Sequence, residues 1–101
     1  MSVYVDSLAD YPSRPHGKPR WCHMMCDGDD RELHAMAAKI GLRREWCQNE
    51  DNSALIHYDL TPSRRALAVI NGAVEVTGRE MVQRCSLPFI DRQTNANEVP
   101  A

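Results

Sequence analysis

Long apolar runs are missing from this sequence. The longest, from Ala66 to Ile70, falls far short of the roughly 20 residues that a membrane-spanning helix needs. The first residues, Met-Ser-Val-Tyr-Val-Asp, have no basic start and no apolar stretch, so no secretory signal is expected. An excess of one charge is also missing. Lys and Arg number 12 against 14 Asp and Glu, a net charge of −2, which argues against a protein that coats nucleic acid. Aromatics are scarce, with Trp 2, Tyr 3 and Phe 1, so the core must be built from Leu, Ile, Val, Ala and Met. There is no Gly-rich phosphate loop, no Gly-x-Ser-x-Gly elbow, no His-x-x-x-His pair and no internal repeat.

A second close pair of cysteines is missing too. Cys22 and Cys26 stand near each other, but Cys47 and Cys85 stand alone, whereas zinc knuckles use two close pairs. Free thiols in a reducing compartment, the cytoplasm, are the expectation.

What remains is ordinary globular composition: 101 residues, 43% hydrophobic and 26% charged, enough for one small domain. A core of this size is marginal alone, and a homo-oligomer is a reasonable expectation.

Residues 2–5 alternate in polarity and predict a strand ending near Asp6. Residues 7–20 hold Pro12, Pro15, Pro19 and Gly17 and read as a long loop. A helix follows, capped by Asp29 or Asp30, with a stripe of Leu33, Met36, Ala37 and Ile40 and a stop at Gly41. Residues 43–46 continue into a short strand or turn, and 48–53 form a polar loop. A second strand is expected at 54–58. Thr61-Pro62 then opens a helix with Ala66, Leu67 and Ile70 as its apolar face and Asn71-Gly72 as its stop. Residues 73–76 predict a third strand, and Thr77-x-x-Glu80 is a capping box for a helix to about Arg84. The alternation gives an α/β fold: one domain over 1–86 with a mostly parallel sheet of three or slightly more strands and about three helices, and a mobile tail over 87–101.

In such a sheet ligands gather at the carboxyl ends of strands. Asp6 follows the first strand, and His57-Tyr58-Asp59 closes the second. The helix after Asp59 begins Thr61-Pro62-Ser63-Arg64-Arg65, which offers backbone N–H groups, partial positive charge and two arginines to an anion. Neutral imidazoles beside Asp are common ligands of zinc or manganese, which brings in His23 and His34. Each histidine alone also reads as a hydrogen-bonded structural residue. Trp21 could stack a base, and Met24, Met25 and Met36 read as core filler. Cys22 beside His23 is a poor nucleophilic dyad, because neighbours in a strand face opposite ways.

Together, Tyr4-Val5-Asp6, His16-Gly17, Trp21-x-His23-Met24, Asp27, Glu32-Leu33-His34-Ala35 and His57-Tyr58-Asp59 resemble a small bacterial and phage family known as domain of unknown function 4031. The resemblance spans roughly residues 2–84, including Arg65 and the Gly72-Ala73 turn. It implies that all four histidines belong to the pattern and the cysteines do not. The usual short Gly-Asp before His-Tyr-Asp is replaced here by Asn52-Ser53-Ala54-Leu55-Ile56.

The preferred reading is a cytoplasmic phage or bacterial protein whose site takes a phosphorylated ligand such as a nucleotide, with or without a divalent metal. His57, Asp59 and His23 would be catalytic; Ser63, Arg64, Arg65 and Trp21 would hold the ligand; Asp6, His23, His34 and Asp59 would hold zinc or manganese. Two alternatives stay open: a non-catalytic binder of a host defence protein, and a module that sequesters a nucleotide without turnover. No membrane partner is expected.

Overall fold

Strand-forming segments come first along the chain, as β1 (Val3–Val5), β2 (Ala9–Asp10) and β3 (Arg20–Cys26). They are followed by α1 (Asp30–Lys39), β4 (Tyr58–Leu60), α2 (Pro62–Ile70), β5 (Val74–Glu75) and α3 (Gly78–Met81). The structure, a computed structural model, describes residues 2–10 and 20–89. His16 and most of the loop expected at 7–20 lie outside that range, as does the tail from residue 90. Residues 87–89, expected in the tail, prolong the C-terminal helix.

The fold is α/β, and its sheet is mixed rather than mostly parallel. β3 is antiparallel to β1, β2 and β4, while β1 and β5 are parallel. The order β4-β3-β1-β5 therefore puts β4 and β5 in the same direction, as a β–α–β crossover requires, but separates them by two strands. Two strands are missing from the sequence reading: the short β2, which falls in the loop expected at 7–20, and β3, with its seven residues Arg-Trp-Cys-His-Met-Met-Cys. Met24, Met25 and Cys26 are all buried because both faces of the sheet are covered there, and that erases the alternation that would reveal a strand. The strand expected at 54–58 is realised only as β4, with His57 held in a single bridge to Gln48. Ala54 and Ile56 are buried by a turn in which the Asn52 carboxamide oxygen accepts from the Ala54 amide at 3.0 Å, not by alternation. Residues 44–46 form a 3₁₀ turn rather than a strand.

The helix boundaries follow the expected capping chemistry. Asp29 accepts from the Arg31 amide at 2.8 Å, Thr61 caps α2, and Thr77 with Glu80 forms the reciprocal capping box. Gly41, with φ +83°, takes the left-handed turn that closes α1.

Two clusters fill the two faces of the sheet. On one, Val3, Val5, Cys22, Met24, Tyr58 and Leu60 meet Leu33, Met36, Ala37 and Ile40 of α1 and Ala68 of α2. On the other, Tyr4 and Met25 meet Met81 and Cys85, which come from α3 and the π-helical turn Val82–Ser86 that continues it. α2 corrects the sequence reading of its face. It buries Ala68, half-buries Arg64, Arg65 and Val69, and leaves Leu67 and Ile70 exposed, Ile70 by 78%. Small Ala68 lets the helix lie close to the sheet, and the arginine stems cover apolar surface beside it.

Candidate metal centre

Among the described residues, helical cover on the second face of the sheet is confined to one part of it. α3 and its continuation lie over Tyr4 and Met25, whereas the neighbouring positions after β1, in β3 and in β4 are Asp6, His23 and Asp59. Strand alternation puts these side chains together. His23 sits two residues from Met25 on the same face, and Asp59 is the cross-strand partner of His23. His57, two residues before Asp59, shares that face.

Asp6 arrives by a bulge. The pairs Val5↔Met24 and Ala9↔Trp21 leave residues 6–8 opposite 22–23, one residue too many for a regular ladder. The Asp6 carboxylate fills the gap: one oxygen accepts from the His23 amide at 2.6 Å, the other from His23 Nδ1 at 2.8 Å. The Asp6 amide in turn donates to the His23 carbonyl at 3.2 Å. Because a carboxylate that already accepts an amide is an acceptor toward the ring as well, Nδ1 of His23 carries a proton and donates it to Asp6.

The same logic fixes His57. Its Nδ1 lies 2.7 Å from the Leu55 carbonyl oxygen, which can only accept, so Nδ1 donates. Its Nε2 lies 3.4 Å from Asp59 Oδ1, another acceptor. The second carboxylate oxygen of Asp59 accepts from Gln48 Nε2 at 2.7 Å. The two imidazole rings stand edge to face, 5.2 Å between centroids. Among the described residues, one ligand atom from each of His23, His57 and Asp59 lies within 4.8 Å of the others. His57 and Asp59 are well covered, with side chains 16% and 10% exposed, while His23 is 37% exposed and opens the cluster to solvent. An imidazole nitrogen and a carboxylate oxygen 3.4 Å apart are held together either by a proton on the ring or by a metal ion between them.

The structure brings together Asp6, His23, His57 and Asp59 of the residues singled out from the sequence. His34 is elsewhere. It lies across the sheet, where its Nδ1 meets the Tyr58 hydroxyl at 2.8 Å, and burial, assisted by the Arg44 charge, pushes its pKa down. Tyr58 and Asp59 point to opposite faces of β4, which separates His34 from the cluster. Arg65 reaches the sheet from behind: Nε donates to the Asp6 carbonyl at 2.9 Å and a terminal nitrogen to Glu75 at 2.8 Å. It anchors the backbone that carries Asp6. Arg64 donates to the Ile40 carbonyl at the end of α1. Gln48 was not foreseen. No sequence signal marks it, since its role depends on the bridge to His57 across the 49–56 turn.

The cysteines take no part. Burial pushes the Cys22 thiol up to about 12, and the charge of Asp6 adds to this. Cys22 and Cys26 lie four residues apart along β3, about 13 Å in an extended strand, too far to share an ion. All four cysteines are free thiols.

A groove of about 670 Å³ opens beside the cluster. Asp59 and Gln48, which belong to the cluster and its support, line it together with Trp21, Trp46, Ser63 and Arg64. A smaller cavity of about 300 Å³ lies against α1, near Ser2, Glu32 and Met36. It contains no histidine, and the larger groove is the one joined to the cluster.

Fold and cluster thus define a small mixed α/β domain with a His-His-Asp centre on the second face of its sheet. The model of the family described as protein of unknown function DUF4031 matches residues 3–87, and the chain belongs to that family. No curated protein and no solved structure matches the chain. Among the described residues no helix is long and apolar enough to cross a membrane.

Proposed function

We propose that His23, His57 and Asp59 bind a divalent ion, zinc or manganese, and that the centre hydrolyses a phosphoester such as a nucleotide. The observation that carries this reading is the convergence of one ligand atom each from His23, His57 and Asp59 within 4.8 Å of one another, with His57 Nε2 3.4 Å from Asp59 Oδ1. The donor set fits the ion. Three protein ligands, two imidazoles and a carboxylate, are typical of catalytic zinc sites and leave room for water or substrate. Each ligand also has its outer partner: Asp6 for His23, the Leu55 carbonyl for His57 and Gln48 for Asp59. A bound divalent ion supplies Lewis acidity toward a phosphoryl oxygen and lowers the pKa of water. The chain's own residues orient the imidazoles, hold the carboxylate and shield it on one side, while the exposed edge of His23 admits substrate.

Free thiols suit a reducing compartment, and the cytoplasm, of a bacterium or of a phage's host, is the location proposed. A second reading draws on Leu67, Ile70 and Val74, apolar side chains exposed by 40%, 78% and 43%. They suit a protein partner, either a second copy or a host protein.

Calorimetric titration of the chelator-stripped full-length chain with Zn²⁺ and Mn²⁺ tests the centre, followed by phosphate release from a nucleotide panel with and without the ion. Stoichiometric binding lost in His57→Ala, together with ion-dependent release, is the expected result. Binding without release leaves the sequestering module. Neither binding nor release abandons the centre in favour of the surface reading.

A further inference from the structure

We infer that the groove running from Asp59 past Trp21 and Trp46 is a nucleobase site, so that the phosphoester taken by the centre is a mononucleotide rather than a sugar phosphate or a nucleic-acid strand. The inference rests on the metal-centre reading for the position of the phosphate.

The chain has only two tryptophans, and both line this one groove. Trp46 is 49% exposed, which is wasteful for the largest apolar side chain unless a ligand covers it. It projects from a short 3₁₀ turn that buries none of its own residues, so the indole contributes nothing to either core cluster. Asp59 belongs both to the cluster and to the lining of the groove. A phosphoester with its phosphate at the cluster therefore extends its organic part along the groove. Flat indole faces select a flat aromatic group, which a nucleobase provides and a sugar phosphate does not. About 670 Å³ is the size of a small-molecule site and accommodates a nucleotide.

A strand of nucleic acid fits less well. Among the described residues the groove offers Arg64 as its one basic side chain against two acidic ones, Glu45 and Asp59. The Arg64 guanidinium is already engaged with the Ile40 carbonyl. A polyanion binds through rows of Lys and Arg that neutralise successive phosphates, and the described groove residues form no such row.

Intrinsic tryptophan fluorescence provides the test, using full-length protein loaded with Zn²⁺ or Mn²⁺. Nucleoside 5′-monophosphates should quench the emission and bind about 10-fold or more tightly than ribose 5-phosphate, which carries the same phosphate without the base. Trp46→Ala, a change at an exposed position, should cut nucleotide affinity about 10-fold, leave ribose 5-phosphate affinity unchanged and retain the wild-type ion content. Equal affinity for the two ligands overturns the inference, and so does unchanged nucleotide affinity in Trp46→Ala. Tighter binding of a single-stranded oligonucleotide than of the mononucleotide also overturns it. In each of these cases a stoichiometric ion shows that the metal reading survives. Absence of the ion combined with base-dependent quenching shows the reverse: the groove stands and the metal reading fails.

Discussion

The second face of the sheet is two regions with one backbone. Where α3 and its continuation lie over it, the strands present Tyr4 and Met25 to Met81 and Cys85. A few residues further on, where no helix among the described residues lies over it, the face presents Asp6 just after β1, His23 in β3 and Asp59 in neighbouring β4. The ladder, the twist and the alternation are shared. What differs is whether α3 and its continuation lie over the face. Where α3 covers it, apolar side chains gain burial; beyond α3 the ionisable groups are also largely covered but are satisfied in pairs, Asp6 with His23 and His57 with Asp59, and His23 keeps 37% of its side chain exposed. One half of the face stabilises the fold and the other is available for chemistry.

The comparison can be broken most directly by exchanging losses between the halves. His57→Ala should reduce ion affinity by more than about 100-fold, beyond the 10–100-fold that outer partners carry, while the melting temperature stays near that of the wild type. Met81→Ala should do the converse. It removes a side chain that is 2% exposed and should cost about 2–5 kcal/mol in denaturant unfolding, with ion affinity per folded molecule unchanged. If the two variants lose the same property, the two halves are not separate in function.

Asp6→Asn sharpens the boundary. The amide keeps the size and can still accept from the His23 amide, but it no longer holds Nδ1 as a carboxylate does. An affinity loss of about 10–100-fold, measured by ion titration, is expected.

The opposite face provides a pH test. Burial holds the His34 imidazole below its ordinary 6.5, with the Arg44 charge adding to the effect. The unfolded chain therefore binds this proton more readily than the folded one. The His34 contribution to stability is complete above pH 6.5 and is lost as the pH falls through the folded-state value. Melting temperatures from about pH 7.5 to 5.5 should fall less steeply in His34→Gln than in the wild type. The smallest effect belongs to Leu67→Ala on the outer side of α2. At 40% exposure it should change stability by no more than about 0.5 kcal/mol.

The caps and stops of the helices were legible because capping is local chemistry. Thr61, Thr77 with Glu80, Asp29 and Gly41 act within a turn of where they stand. Asp59 was legible only as the acidic residue closing the strand expected at 54–58; the structure shifts that strand to Tyr58–Leu60 and puts Asp59 inside it, between two buried neighbours. β3 was not legible, because cover on both faces removes the pattern that would mark it, and with it went the antiparallel strand that carries His23 between Asp6 and Asp59. His34 was misplaced for a related reason. Helical spacing fixes where a residue lies around α1, but not which side of an unforeseen sheet that helix covers. The inward face of α2 was misread because Leu67 and Ile70 outweigh Ala68 in hydrophobicity, while packing distance favours the small residue.

The bulge at residues 6–8 makes the centre depend on chain length as well as on residue type. Deleting Ser7, an exposed residue with no role of its own in the cluster, would remove the extra place opposite 22–23 and let a regular ladder close. The His23 amide would then find a backbone carbonyl in place of the Asp6 carboxylate, and the link that orients the imidazole would be gone although every ligand residue remained. Natural variants of this segment should thus tolerate exchange at position 7 far better than a change in the number of residues between β1 and β2.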